Sequence, residues 1–229
     1  MRSVAAVPTP CLCLVTDRKL CSDGSLAERV AAAVAGGVDM VQLRERDLPG
    51  GELMELALTL RSITRNKALL VVNDRLDVAL AAGADGLHLP EDSLAVRYAR
   101  QVVPPRFLVG KSVHNVESAQ RAATEGASYL VLGTIFPTSS KPGAATGGPS
   151  RVSEVAKKVV CPVLAIGGVD SGNVASVIGA DAHGVAVISA ILGAPDPEGA
   201  ARELKGAMIA AWEAERAMHP QQEVADRRR

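Results

Sequence analysis

Apolar positions along the chain fall into eight short runs, each separated from the next by a longer stretch with helical character. The runs predict strands at residues 12–16, 40–43, 69–73, 86–89, 107–110, 129–132, 163–166 and 184–188. Runs this short, apolar at successive positions and rich in Val, Leu and Ile, suit strands buried on both faces. Helices are predicted between them, for example at 25–35, 51–65, 116–125 and 197–214. Ser25, with Glu28 three residues later, has the spacing of a capping box. The phrases GGVDMVQLRER, AGADGLHL, EGASYLVLG and IGADAHGVAV recur before the second, fourth, sixth and eighth strands. In each, a Gly stands where a helix ends in a left-handed turn.

Eight strand–helix units in 229 residues predict an α/β protein of one domain, a closed (β/α)8 TIM barrel rather than an open sheet. The barrel is expected over residues 11–212. A short segment, 1–10, precedes it, and a polar tail, 213–229, follows and ends in Arg227, Arg228 and Arg229. Residues 133–149 form a long Gly-, Pro-, Ser- and Thr-rich loop after strand six, and loops of that length in compact domains are often functional.

Composition narrows the picture. Hydrophobic residues make up 48% but aromatics only 2%, so a core of Val, Leu, Ile and Ala is expected. The formal net charge of +0 argues against a nucleic-acid partner, which would call for excess Lys and Arg. No apolar run is long enough to span a bilayer, and the N-terminus lacks the apolar stretch of a signal peptide. Cys11, Cys13, Cys21 and Cys161 form no C-x-x-C pair and read as reduced thiols of a cytoplasmic protein. Phosphorylated small molecules are the expected partners, and a homo-oligomer is compatible with the chain.

In such barrels the chemistry lies where strands end and βα loops begin. Strand two ends in Gln42, Arg44, Glu45 and Arg46; alternation puts Gln42, Arg44 and Arg46 on one side, able to grip phosphate oxygens. The bland alternative is a surface salt-bridge cluster with Glu45 and Asp47. Asn73 and Asp74 close strand three and offer oxygen ligands to Mg2+, or else cap the next helix. Asp92, after strand four, is a second metal candidate, and it competes with Ser93 for a capping role. Ser112 can donate to an anion, and His114 can move protons or cap a helix. Thr138, Ser140 and Lys141 in the long loop form a candidate lid over pyrophosphate. Gly168, after strand seven, and Ile188 and Ser189, after strand eight, fit the usual barrel phosphate site. His183, before strand eight, and His219, in the tail, are not candidates.

The motifs LVTD, VQLRER, VNDRLDVALAAGADGLHL, GKSVH, GTIFPTSSKPG, AIGGV and GVAVISAI, in this order, resemble the thiamine phosphate synthase/TenI family over residues 11–212. The resemblance implies a Mg2+-dependent transferase that couples hydroxymethylpyrimidine diphosphate to thiazole phosphate, releasing pyrophosphate. It further implies pyrimidine-diphosphate contacts from Gln42, Arg44, Asn73, Ser112 and Lys141, and a metal ligand in Asp74. Contacts to the thiazole phosphate fall to Thr138, Ser140, Gly168, Ile188 and Ser189. Some features depart from the synthase pattern. Arg46 stands where Lys is common, and H-L-P-E-D-S replaces H-x-G-Q-E-D, placing Ser93 rather than Asp92 at the second metal position. R-E-R, H-L-P and S-V-H are similar to the TenI branch, whose thiazole tautomerase would use His114. A non-catalytic, phosphate-binding regulatory barrel is a third alternative.

Overall fold

The structure is a computed structural model that describes residues 6–21, 25–140 and 142–218. Eight parallel strands close in sequential order into a barrel, β8 pairing back onto β1. They are β1 (Cys11–Val15), β2 (Met40–Leu43), β3 (Leu69–Asn73), β4 (Gly86–Leu89), β5 (Leu108–Val113), β6 (Tyr129–Leu132), β7 (Val163–Ile166) and β8 (Gly184–Val187). The helices are α1 (Leu26–Ala35), α2 (Gly50–Thr64), α3 (Leu76–Ala81), α4 (Val96–Arg100), α5 (Val116–Thr124), α6 (Gly148–Ala156), α7 (Val174–Ile178), α8 (Ser189–Leu192) and α9 (Pro197–Met218). The expected TIM barrel is the fold observed.

Boundaries shift where polarity misleads. β5 runs on to Val113 because Ser112 and Val113 pair with Val131 and Leu132 of β6, although Lys111 and Ser112 end the apolar run. The loop after β6 stops at Gly147, and Pro149 sits in the first turn of α6, where its missing N–H costs nothing. α9 continues to Met218, four residues past the predicted end, through exposed Glu213 and Arg216 and half-buried Glu215.

Two cores follow from strand alternation. One face of each strand packs against the helices, joining Leu12, Val41, Leu70 and Leu87 to α1, α2 and α9 residues such as Val30, Leu60 and Leu204. The other face fills the barrel with Cys11, Cys13, Met40, Val71, Tyr129 and Leu164, among others. Tyr129 corrects the expectation of an aliphatic core: one of two tyrosines in the chain lies fully buried at the centre of the barrel. Its neighbour across the sheet is Gly110, where a Cβ would come within 2.2 Å of the Tyr129 ring, so the ring occupies the space that the glycine leaves.

The recurring phrases have a structural counterpart at the N-terminal ends of the strands. The residue just before each even-numbered strand accepts a hydrogen bond from an N–H of the preceding odd-numbered one. Asp39 Oδ2 accepts from Leu12 N at 2.7 Å, Asp85 Oδ2 from Leu70 N at 2.8 Å, Ser128 Oγ from Val109 N at 3.1 Å and His183 Nδ1 from Val163 N at 3.4 Å. Helix cations back three of these. Lys205 Nζ lies 2.6 Å from Asp39, Arg61 Nη1 2.5 Å from Asp85, and Arg100 Nη2 2.6 Å from Ser128 Oγ. The expected left-handed glycine leads three of the phrases (Gly37, Gly83 and Gly126). In the fourth, Asp181 adopts φ 68° and Gly179 is an ordinary right-handed cap, because the chain turns two residues later.

Candidate active site

The opposite end of the barrel holds a cavity of about 430 Å³, in the size range of small-ligand sites. β2 supplies Gln42, and its following loop Arg44 and Arg46; all three reach the cavity, as alternation predicts. Asn73, Ser112, His114, Thr138, Ser140, Gly168, Ile188, Ser189 and Asp92 line it as well. Asp74 lies alongside, in a second hollow of about 170 Å³ shared with Arg46 and Asn73. Lys141 lies outside the described residues.

The salt-bridge alternative for Arg44 and Arg46 fails for a specific reason. Glu45 points the other way, its side chain 3% exposed, and takes the Arg18 backbone N–H and guanidinium at 3.1 Å each. Arg18 also grips Asp47 with two nitrogens, at 2.6 and 3.0 Å, and Lys19 Nζ reaches the same carboxylate at 3.1 Å. With both carboxylates engaged, neither Arg44 nor Arg46 makes a side-chain hydrogen bond or ion pair among the described residues. Burial, then the nearby Arg46 charge, lower the pKa of Arg44, against the opposing charges of Asp17 and Glu45. Two converging cations without an ion-pair partner of their own suit an anion.

The three helix-cap alternatives also fail. α3 starts at Arg75 without a side-chain cap, and Asp74 adopts φ 63°, off the helical path. α4 follows Ala95, so neither Asp92 nor Ser93 caps it. Asn115 caps α5 in a box with Ser118, leaving the His114 ring free for other contacts. That ring sits between two acceptors: Nδ1 bonds the Gly133 carbonyl, and Nε2 lies 3.0 Å from Glu91 Oε2.

Loop backbones complete the wall. The residues after β6 pair onto the end of β7 and the residue beyond it, Ile135 N to Ile166 O at 3.0 Å and Phe136 N to Gly167 O at 2.9 Å. A Cβ on Gly168 would lie 2.4 Å from the Pro137 carbonyl, and its φ of +63° disfavours other residues, so the two loops meet only at a glycine. α8 begins at Ser189, and its first N–H groups lie beyond the reach of intrahelical acceptors.

The model of the thiamine monophosphate synthase family matches residues 12–191. The chain belongs to that family. It is 48% identical over 202 residues to a thiamine-phosphate synthase of Methanoculleus marisnigri, an alignment spanning 87% of this chain and 96% of the relative. It is 45% identical over 200 residues to one from a Roseiflexus species, covering 86% and 85%. Among solved structures, the thiamine phosphate pyrophosphorylase of Pyrococcus furiosus superposes with a TM-score of 0.81 at 36% identity, over 88% of this chain and 96% of that one. A 3-keto-L-gulonate-6-phosphate decarboxylase from Vibrio cholerae, at 17% identity and TM-score 0.67, shares the fold.

Among the cavity residues for which the sequence predicted no role is His88. His88, on β4, is buried, and its Nε2 lies 2.9 Å from Ser112 Oγ. Burial, then the charges of Lys111 and Arg44, push its pKa down to about 3, so the ring is neutral. Its signal was available: β4 alternation puts His88 inward, and it pairs with inward Asn73 on β3. His88 Nδ1 and Gln42 Oε1 are buried without a protein hydrogen-bond partner, which leaves polar capacity in the cavity wall.

The donor chemistry suits Mg2+. Ser93 Oγ donates to Asp74 Oδ1, and Asp92 and Glu91 stand on the same β4–α4 loop, so the oxygens are hard ones. Among the described residues no cluster of three or more His, Cys, Asp or Glu is suited to a metal; Mg2+ commonly takes one or two carboxylates plus substrate phosphate. No described helix is long and apolar enough to cross a membrane.

Proposed function

We propose that this protein is a transferase that joins hydroxymethylpyrimidine diphosphate to thiazole phosphate, giving thiamine phosphate and pyrophosphate. The observation that carries the reading is the pair of unpaired guanidiniums, Arg44 and Arg46, on one wall of the cavity. In the reaction the bond from the pyrimidine methylene carbon to the diphosphate oxygen breaks, and its electron pair leaves with pyrophosphate. The thiazole nitrogen then forms the new C–N bond to that carbon. Arg44 and Arg46 are aimed at the charge that grows on the leaving group, where preorganised donors act most strongly. Gln42 and Asn73, linked at 3.3 Å, fix the pyrimidine side, and neutral His88 orients Ser112 toward the diphosphate.

Gly168, Ile188 and Ser189 are assigned to the thiazole phosphate, with Thr138 and Ser140 from the loop above. Lys141 is assigned to the leaving group as a third cation, and the loop after β6 is assigned the exclusion of water from the reactive carbon. Asp74 would hold Mg2+, with Ser93 or Asp92 beside it; the ion, when bound, supplies charge neutralisation on the leaving pyrophosphate. The four free cysteines fit a reducing, cytoplasmic setting.

The test is an assay of the purified protein with both substrates, with and without Mg2+. Coupling that stops in excess chelator is expected, and Asp74→Ala is expected to lower kcat/KM about 10²-fold or more with the fold intact. His114→Ala is expected to cost less than about tenfold, since its two nitrogens are already engaged and proton transfer is not the main barrier. Full activity in chelator overturns the metal assignment. Robust thiazole isomerisation without coupling moves the protein to the TenI-like tautomerase branch.

A further inference from the structure

Lys111 is absent from the cavity wall, yet it touches what the cavity depends on. It stands on β5 between inward Gly110 and Ser112, so its own side chain leaves the barrel on the outer face. There its ammonium meets three backbone carbonyls of a single loop: Pro90 O at 2.6 Å, and Ser93 O and Leu94 O at 3.3 Å each. The loop closes on itself through one further bond, Ser93 N to Pro90 O at 3.2 Å. Lys111 makes no ion pair among the described residues; the nearby Glu125 is taken by Arg97. The carbonyl oxygens therefore serve as the ligands of the ammonium.

The same loop makes two contacts with the site. Ser93 Oγ bonds Asp74, and Glu91 bonds His114, while Asp92 faces the cavity. Removing the ammonium leaves converging carbonyl dipoles that repel one another, and the loop has no side-chain helix cap to replace it. Burial lowers the Lys111 pKa, and Asp74, Asp92, Glu91 and Glu125 oppose that fall, consistent with a charge placed under an acidic loop.

We infer that Lys111 is a positioning residue: a tethered cation around which residues 90–95 fold, setting Ser93 against Asp74 and Asp92 into the cavity for the diphosphate end of the substrate. The inference rests on the proposed coupling reaction for its kinetic consequences but not for its structural one. It distinguishes the two substrates, because the thiazole phosphate is assigned to loops on the other side of the barrel.

The experiment uses Lys111→Ala, Lys111→Met and Lys111→Arg in the full-length protein. Hydrogen exchange without substrate is expected to rise about tenfold or more in segment 90–95 of the Ala and Met variants, with the strands unchanged. In the coupling assay, kcat/KM for the diphosphate substrate is expected to fall about 10–100-fold, as is usual for residues that hold a ligating shell in place. KM for the thiazole phosphate stays the same. Lys111→Arg retains most of the activity. Propylammonium, matching the fragment removed in Lys111→Ala, restores both loop protection and activity, but not in Lys111→Met, whose side chain occupies that space. Unchanged exchange at 90–95 in both the Ala and Met variants overturns the inference, as does equal loss toward both substrates without amine rescue. A wild-type protein that fails to couple refutes the proposed function instead, and the exchange measurement still decides the role of Lys111.

Discussion

Asp39 and Asp85, at the N-terminal ends of β2 and β4, each hold a strand amide and a helix cation, whereas Arg44 and Arg46, at the other end of the barrel, hold nothing within the described protein. The acidic neighbours that would have neutralised the two arginines, Glu45 and Asp47, are drawn off by Arg18 and Lys19. One end thus uses its charges to lock strands and helices together. The other pairs Glu45 and Asp47 with Arg18 and Lys19 and leaves Arg44 and Arg46, which repel each other, without an ion pair. The contrast separates the residues that hold the barrel from those that act on a ligand.

The largest effect that tests this contrast is on activity. Arg44→Ala should lower kcat/KM for coupling about 10²–10³-fold, the scale of losing one preorganised donor to developing charge. The same change should leave thermal stability intact or raise it, because it relieves repulsion from Arg46. A marked fall in melting temperature would show that Arg44 serves the fold and would dissolve the comparison.

A smaller effect belongs to the other end. Asp85→Ala leaves the Leu70 N–H and the Arg61 guanidinium without their acceptor and should destabilise the protein by about 2 kcal/mol in denaturant titration. Among folded molecules kcat/KM should stay within about twofold, since nothing at that end touches the cavity. Loss of activity beyond the unfolded fraction would mean that the two ends are coupled.

An effect that is absent at neutral pH and emerges only in acid sharpens the boundary between them. His88 lies in the cavity wall with its pKa held near 3, far under its ordinary value. A folded-state pKa below the unfolded one means that the unfolded chain binds the proton more readily. The contribution to stability is therefore complete above about pH 6.5 and declines as pH falls toward 3, by at most about 1.4 kcal/mol per pH unit. His88→Gln should flatten that part of the stability–pH curve. A curve of the same shape in the variant would assign the acid sensitivity elsewhere.

Much of this was legible in the residues. Alternation alone put Gln42, Arg44 and Arg46 on one side of β2, and the cavity confirms that placement. The repeated phrases announced a repeated corner at the base of the barrel, and Asp39, Asp85, Ser128 and His183 carry it. His88 was harder, because a histidine inside an apolar run looks like core until its partner on a strand 24 residues away is known. Asp74, Asp92 and His114 each had a plausible reading as a helix cap, and local sequence cannot choose between a cap and a ligand when both call for the same side chains. The extent of β5 was misjudged for a related reason: Lys111 and Ser112 are polar, yet backbone pairing is indifferent to side-chain polarity.

The amino-acid sequence by itself determined the barrel, its strand order and the end that bears the chemistry, because period-two burial, chain-length limits on parallel crossovers and the twist of parallel strands leave few other arrangements. Only the tertiary structure decided who neutralises whom. Whether Glu45 pairs with Arg44, Arg46 or Arg18 depends on the side of the β2–α2 loop it faces and on how near the β1–α1 loop comes, and Coulomb and hydrogen-bond energies fall off over a few ångströms. Adjacency in sequence favoured the two arginines; adjacency in space assigned Glu45 to Arg18, and Arg44 and Arg46 face the cavity without an ion pair for that reason.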